Sequence, residues 1–322
     1  MKFYFAPMEG ITIHTYRNLC NEMFPYIDKF FSPFLVTKTK TILNAKELRD
    51  ISPENNQGLA LVPQVLTNHA KDFIQMIQVL EKLGYQEVNL NLGCPSGTVV
   101  SKGRGAGFLA KPQELDEFLQ EVFDYLAGRD TKLSVKTRIG RDVPEEFAHL
   151  LEIYNKYPIA ELIIHPRTQK DYYKNQPNLQ IFEEALANST NPVCYNGNLF
   201  TVKDYERITE KFPQLSAVML GRGLVCNPAL AAEIQGRDKL TKENFREFHD
   251  RIYHEYQEIF CGEKNILFRM KELWCYMIFA FSDCEKQRKK IMKSRTLLEY
   301  QAAVNEVFRE CGIDTRRGFP TG

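Results

Sequence analysis

Residues 88–109 read VNLNLGCPSGTVVSKGRGAGFL, a stretch in which a short strand-like run leads into a glycine-rich, basic loop. Asn89 and Asn91 alternate with apolar residues, which is the pattern of a β-strand with one polar and one apolar face. Cys94 follows directly, within a Gly-Cys-Pro triplet. The pattern predicts a strand over residues 87–92 that delivers a thiol to the start of a loop.

Seven further stretches have the composition of strands, and amphipathic segments such as residues 70–83 and 114–126 separate most of them. Eight strands that alternate with helices predict a (β/α)8 TIM barrel. The alternative, a doubly wound open sheet, usually carries G-x-G-x-x-G after its first strand, where this chain has APMEG. The predicted strands are residues 3–6, 30–36, 59–65, 87–92, 133–137, 161–165, 192–195 and 217–220.

Beyond about residue 238 the strand-like runs stop and helical periodicity takes over. We therefore predict two domains, a barrel over residues 1–238 and a small α-helical domain over residues 239–322. Helices are expected at residues 242–260, 266–281 and 286–303. The final residues, TRRGFPTG, are expected to be frayed.

The composition limits the class of protein. The chain has 322 residues, 43% of them apolar, and a formal net charge of +1, so any RNA must be bound by local basic patches. It has no apolar run of about 18 residues and no signal-like segment, which predicts a cytoplasmic protein that does not enter a membrane. Its eight cysteines include no Cys-x-x-Cys pair, so no metal site is predicted.

Polar residues or glycines stand at the carboxyl ends of seven of the predicted strands. In a βα barrel these ends form one rim, which is where the active site lies. Lys136 and Arg138 share one strand face, and inward-pointing cations are costly unless a ligand or a salt-bridge layer pairs them. The polar residues at this rim are Gln64, Asn91, Lys136, Arg138, His165, Asn196, Asn198 and Arg222.

The last two strand ends, NGN at 196–198 and GRG at 221–223, predict a phosphate site. Loops after the seventh and eighth strands commonly bind phosphate in this fold. The glycines in these loops would let backbone N–H groups approach an anion. Arg222 would add a bidentate charge. A helix expected over residues 225–234 would point its amino terminus at the same anion.

Eight motifs follow one another along the chain: APMEG (6–10), PQV (63–65), NLNLGCPSGTVVSKGRGAGFL (89–109), SVKTR (134–138), IHPRTQKDYY (164–173), YNGN (195–198), LGRG (220–223) and FRMKELWCYM (268–277). In this order they resemble the tRNA-dihydrouridine synthases. The resemblance implies an enzyme that uses FMN and NADPH to reduce the C5–C6 double bond of a uridine in tRNA. It also implies that the helical domain binds tRNA.

By motif position, the resemblance implies a role for each rim residue. The residues beside the flavin would be Ala6, Pro7 and Met8, and those on its ring or ribityl chain Gln64, Asn91, Lys136 and His165. The phosphate would be held by Asn196, Gly197, Asn198, Gly221 and Arg222. The substrate would be faced by Asn91, Arg138 and Tyr173. The chain departs from the family at Asn198, where an acidic residue is usual, and at Pro166, where a small one is usual.

By the same resemblance, Cys94 would be the catalytic acid of this chain. A thiol with a pKa of about 8.5 is protonated near neutral pH and can give a proton to C5 of uracil. The glycines at 103, 105 and 107 would let its loop close on the substrate. Two other interpretations stay open: a nucleophile activated by His165, as in a hydrolase or transferase, and an inert buried thiol.

The segment KQRKKIMKSR at 286–295 has six cations in ten residues and is a candidate phosphate-contact strip. Lys286, Lys289 or Lys290, and Lys293 would share one helix face, although most such runs are simply solvated. Further candidates are Lys102, Arg104, Arg269 and Lys271. Two alternative functions remain, an FMN-dependent reductase of free pyrimidines and an RNA-binding module with an inactive barrel. A monomer is favoured.

Overall fold

Ten strand segments form one parallel sheet that closes on itself in the computed structural model, which describes residues 1–37 and 42–320. The first segment pairs with the last, Phe5 opposite Leu220, and also with the second, Phe5 opposite Phe30. The segments are β1 (Lys2–Phe5), β2 (Lys29–Phe31), β3 (Leu35–Val36), β4 (Leu61–Val62), β5 (Gln64–Leu66), β6 (Glu87–Leu92), β7 (Lys132–Arg138), β8 (Leu162–His165), β9 (Val193–Tyr195) and β10 (Ala217–Leu220). This closed sheet confirms the predicted barrel.

The second and third predicted strands are each interrupted at a proline. Pro33 lies between β2 and β3, and Pro63 lies between β4 and β5. Proline has no backbone N–H for a ladder hydrogen bond, so pairing stops there and the prediction of two unbroken strands was wrong. The hydroxyl of Ser32 replaces one ladder partner by accepting from the backbone N–H of Gln64 at 3.1 Å.

The helices cover the outside of the barrel. Val88, Leu90 and Leu92 of β6 are at most 1% exposed because they pack against this layer, while Tyr4 and Ile163 fill the barrel interior. The helices are α1 (His14–Met23), α2 (Ala45–Ile51), α3 (Ala70–Lys82), α4 (Gly97–Val100), α5 (Pro112–Leu126), α6 (Glu146–Tyr154), α7 (Leu179–Asn188), α8 (Val202–Lys211), α9 (Arg222–Cys226) and α10 (Leu230–Ile234). No helix within the described residues is both long and apolar enough to span a bilayer.

The region after the barrel contains α11 (Lys242–Ile259), α12 (Glu263–Met277), α13 (Glu285–Lys293) and α14 (Leu297–Glu310). The single helix predicted over residues 286–303 was wrong, because Thr296 starts a new helix by accepting a hydrogen bond from the backbone N–H of Glu299. A short antiparallel pair, β11 (Phe281–Ser282) and β12 (Gly312–Ile313), was also not predicted. Its segments are too short to show a periodicity.

A buried hydrogen-bond network holds the helical region together. Trp274 Nε1, which can only donate, donates to Tyr300 Oη at 2.8 Å. His249 Nδ1 faces the Asp250 carboxylate at 2.8 Å and must donate to it, so Nε2 of the neutral ring accepts from the Tyr300 hydroxyl at 2.6 Å. Burial lowers the pKa of His249, in keeping with this neutral tautomer. The network joins α11, α12 and α14.

Replacing Tyr300 with phenylalanine should lower the free energy of unfolding by about 2 kcal/mol. The change leaves the indole N–H and His249 Nε2 unpaired inside the core. Urea unfolding followed by circular dichroism measures this loss of stability. Tyr253→Phe is the control, since the Tyr253 hydroxyl makes no hydrogen bond within the described residues. Equal stabilities for the two variants would contradict the network.

Candidate active site

Two cavities lie side by side at the carboxyl ends of the barrel strands. The arginine cavity, about 370 Å³, surrounds Arg222, and the cysteine cavity, about 250 Å³, surrounds Cys94. They share the wall residues Pro7, Met8, Lys136, His165, Tyr173 and Tyr276 and so form one cleft. The arginine cavity is also lined by Ala6, Asn196, Gly197, Asn198, Gly221 and Arg222, and the cysteine cavity by Gln64, Asn91, Cys94 and Arg138. Every site residue expected from the sequence therefore lies in this cleft.

Asn198 joins two guanidinium groups in the arginine cavity. Its Oδ1 accepts from Arg167 and from Arg222, each at 3.1 Å, and its Nδ2 donates to Gln176. No carboxylate lines this cavity within residues 1–37 and 42–320. Since the amide oxygen orients both cations without neutralising them, the cavity keeps a positive charge that suits a phosphate. This is the structural consequence of having asparagine at position 198.

Arg167 supports the site through its contacts with His165 and Asn198, a role that was not predicted from the sequence. It is 1% exposed, donates to the carbonyl of Asn175 at 2.6 Å, and faces His165 Nε2 at 2.9 Å. Burial, together with neighbouring arginines, lowers the pKa of Arg167 to about 10, so it remains charged at neutral pH. Its position two residues after His165, at the same strand end, was the signal that could have identified it.

Two glycines that line the arginine cavity differ in the space around them. A Cβ on Gly223 would lie 2.1 Å from the carbonyl oxygen of Leu199, whereas one on Gly221 would lie 3.4 Å from Ala6 Cβ and take up cavity space. The helix next to this site is α9, which starts at Arg222, so the helix expected over residues 225–234 was wrong. Pro228 divides that stretch into α9 and α10.

A ladder of amides supports the cysteine cavity. Asn91 Oδ1 accepts from the backbone N–H groups of Gly93 at 3.0 Å and Cys94 at 2.9 Å. Asn91 Nδ2 donates to Gln64 Oε1 at 2.7 Å, and Gln64 Nε2 donates to Asn89 Oδ1 at 2.8 Å. Buried amides are costly unless they are paired. The structure pairs these amides with one another, and Asn91 positions the turn that carries Cys94.

The glycine-rich loop is packed beneath Cys94. Gly105 has φ +55°, and a Cβ there would lie 2.8 Å from the carbonyl oxygen of Cys94; a Cβ on Gly107 would lie 2.7 Å from that of Val100. The backbone N–H of Ala106 donates to the Cys94 carbonyl at 3.1 Å. These glycines therefore serve close packing, which differs from the loop freedom inferred from the sequence.

The Cys94 thiol is half-buried at the cavity wall. Burial raises its pKa, so the protonated form persists at neutral pH. Because arginine only donates, the contact between Arg167 and His165 Nε2 makes Nε2 the acceptor and leaves the proton on Nδ1. Burial and the nearby Arg138 and Lys136 hold the pKa of His165 well below its usual value. With its lone pair already occupied, His165 is poorly placed to activate Cys94 as a nucleophile.

Arg138 connects neighbouring loops through hydrogen bonds to their backbone carbonyls. Its guanidinium donates to the carbonyls of Gly93 at 2.9 Å, Thr168 at 2.7 Å and Tyr172 at 2.9 Å. Tyr173 is 48% exposed, and the guanidinium carbons of Arg222 and Arg138 lie 4.4 and 5.5 Å from its ring centroid. Tyr173 thus presents an aromatic face at the mouth, while most of the polar capacity of Arg138 is used inside the protein.

Lys136 is the cation that lacks a partner. It lines both cavities, and its ammonium makes no hydrogen bond or ion pair within the described part of the chain. Burial, aided by Arg138, lowers its pKa to about 8. An unpaired, partly buried ammonium beside a cationic pocket fits an anionic ligand with polar acceptors.

Comparisons with known proteins agree with this geometry. Residues 4–310 match the family model described as dihydrouridine synthase (Dus). A probable tRNA-dihydrouridine synthase of Staphylococcus aureus (strain COL) is 26% identical over 98% of this chain and 95% of its own length. Probable tRNA-dihydrouridine synthase 2 of Bacillus subtilis (strain 168) is 24% identical over 96% and 94%.

Solved structures share the fold. Morphinone reductase in complex with tetrahydroNAD aligns with a TM-score of 0.52 and 12% identity over 76% of this chain and 90% of its own. Histamine dehydrogenase from Rhizobium sp. 4-9 aligns with a TM-score of 0.55 and 10% identity over 84% and 49%. At such identities the likeness concerns the fold alone.

The affinity of the cleft for an anionic ligand, measured with FMN as the probe, should fall as the pH rises through about 8, because Lys136 then loses its charge. A bound anion raises the pKa of Lys136. The contribution of Lys136 to the binding free energy is therefore complete below the pKa of the free protein, about 8, and declines above it. Lys136→Met should weaken binding about tenfold at pH 7 and abolish this pH dependence. Lys136→Arg should keep the charge and bind equally at pH 7 and 9. Fluorescence titration of FMN measures all three proteins, and an unchanged pH profile in Lys136→Met would contradict the role.

Proposed function

The chain belongs to the dihydrouridine synthase family, and from that premise we propose that it is an FMN-dependent enzyme that reduces a uridine in tRNA to 5,6-dihydrouridine. The observation that carries the proposal is the single cleft at the barrel rim, which combines a carboxylate-free arginine cavity with a protonated thiol at its other end. A mononucleotide and a pyrimidine ring need these two environments side by side.

The arginine cavity would hold the cofactor phosphate. Arg222, the neighbouring glycines and the Asn198 bridge supply donors to an anion, and Lys136 would reach the polar edge of the ring system. When bound, the flavin would take a hydride from NADPH and deliver it to C6 of the uracil. Pro7 and Met8 line both cavities and would give the flavin an apolar wall.

Cys94 would protonate C5 of the uracil. Hydride addition at C6 places negative charge on C5 and the C4 carbonyl, so a proton donor must stand near C5. A thiol whose pKa is raised by burial is protonated at neutral pH, unlike a carboxyl group with an ordinary pKa. Asn91 and Arg138 would orient this acid by fixing the backbone of Gly93 and Cys94. Tyr173 would cover the uracil after it leaves its stack in the RNA.

The groove between α13 and α14, which is lined by four lysines and three glutamates, would offer phosphate contacts to tRNA. Its rim carries exposed Lys286, Lys289 and Lys293, while Lys290 pairs with Glu306. Two other cations proposed from the sequence are engaged within the protein: Arg269 with Glu272 at 2.6 Å and Lys271 with the Ser294 carbonyl. Lys286, Lys289 and Lys293 make no ion pair within the described residues and are therefore the strongest candidates for phosphate contacts.

Cys94→Ala should retain FMN and oxidise NADPH but form dihydrouridine at least 100-fold more slowly, since the proton donor is missing. Mass spectrometry of nucleosides from tRNA treated with purified enzyme measures the product. The tRNA comes from cells lacking the gene. Cys275→Ala, which removes an exposed thiol on α12, serves as the control and should react normally.

Two results would contradict this proposal at different points. Wild-type protein that forms no dihydrouridine with FMN and NADPH present would refute the activity. A Cys94→Ala variant that reacts at the normal rate would retain the activity and assign the acid to another group.

Changing Lys286, Lys289 and Lys293 together to alanine should weaken tRNA binding and flatten its dependence on salt. Each lost phosphate contact removes about 0.7–0.9 from the slope of log K against log salt concentration, so the slope should fall by about 2 to 3. The control changes Lys2, Lys82 and Lys132, three exposed lysines at the opposite end of the barrel. Unchanged tRNA affinity with full activity on free uracil would instead favour a reductase of free pyrimidines.

A further inference from the structure

Residues 314–320 cross the barrel mouth and place an aromatic ring in the cofactor cleft. Phe319 lines the arginine cavity, and its centroid lies 5.0 Å from Phe279, 5.6 Å from Tyr276 and 5.7 Å from Phe200. The guanidinium carbon of Arg222 lies 5.0 Å from the same ring. Residues 315–320 of the segment expected to be frayed are thus folded against the arginine cavity, and its last two residues, 321–322, lie outside the described residues.

Local structure holds this ring in place. The strand β12 precedes it, and the backbone N–H of Asp314 donates to the carbonyl of Ala280 at 2.8 Å. Gly318 then turns the chain with φ +62°, and a Cβ at this residue would lie 2.7 Å from Phe200 Cβ. Only glycine satisfies both the dihedral angle and the close approach. The placement of Phe319 is therefore specified by the residues that lead to it.

Phe319 separates two cavities. A neighbouring cavity of about 460 Å³, lined by Arg207 and Arg317 among others, shares Asn198, Phe200 and Phe319 with the arginine cavity. Removing the ring would join the two and admit water to the phosphate end. Arg222 would also lose one of the three rings that surround it. Its attraction for an anion would weaken, because screening by water reduces electrostatic interactions.

We infer that residues 314–320 form a latch on the cofactor site and that Phe319 retains the flavin by covering its phosphate end. The inference rests on the proposed function, since it assumes that FMN is the occupant. The inference assigns part of the cofactor site to the region after the barrel, for which tRNA binding is also proposed. The latch acts on cofactor release, and the chemistry at Cys94 lies in the other cavity.

The test measures the dissociation rate of FMN from holoenzyme, followed by the return of flavin fluorescence after dilution. Phe319→Ala should release FMN about tenfold faster, through the lost ring contact and the opened cavity. Gly318→Ala keeps the ring but displaces the segment, and should also release FMN faster. Arg316→Ala is the matched control, because the Arg316 side chain is 89% exposed and its ion pair among the described residues is with Asp314 alone.

Faster release from both test variants, with wild-type rates in Arg316→Ala and unchanged circular dichroism, supports the latch. A wild-type rate in Phe319→Ala, or equal acceleration in the control, overturns it while FMN binding itself stands. A wild-type protein that takes up no FMN overturns the proposed function, and the latch with it.

Discussion

Closure of the parallel sheet is the constraint on which the site depends. β1 completes the ring by pairing with β10, so the first and last strands of the barrel become neighbours. Since the strands run in one direction, all of their carboxyl ends meet at a single rim. Met8, Cys94, His165 and Arg222 are far apart in the chain, and each follows or ends a different strand. Ring closure alone brings them into one cleft.

The cleft concentrates cations that the rest of the molecule must hold together. Burial lowers the pKa of Lys136, Arg167 and Arg222. Repulsion adds to this effect, because Arg138 acts on Lys136, and Arg222 and Arg138 act on Arg167. The Asn198 oxygen orients two of them but carries no compensating charge. Rigid strands on either side keep these groups in position despite the repulsion, and a bound phosphate would relieve it. The arrangement is the expected one for a site built around an anion.

The helical region contributes to the same cleft. α11 packs on α1 through Phe248 and Tyr16, whose rings meet edge to face at 5.2 Å. This contact fixes the region at the barrel mouth, where Tyr276 lines both cavities and Phe319 covers the arginine cavity. The proposed flavin-binding barrel and tRNA-binding helical domain follow one another along the chain. The walls of the cleft, however, are built from both regions.

The sequence alone determined the barrel, most strand limits and the rim residues, because alternation and strand-end chemistry are local properties that a short window displays. The prolines that divide two strands and the cap at Thr296 that divides a helix were also local signals, and the periodicity concealed them. Tertiary structure decided the rest. It turned Arg138 and Asn91 into supports for the Cys94 turn, made the loop glycines sites of close packing, and placed Arg167 and Phe319 at the phosphate end. These roles depend on which carbonyls, rings and charges meet in space, and no spacing along the chain records such contacts.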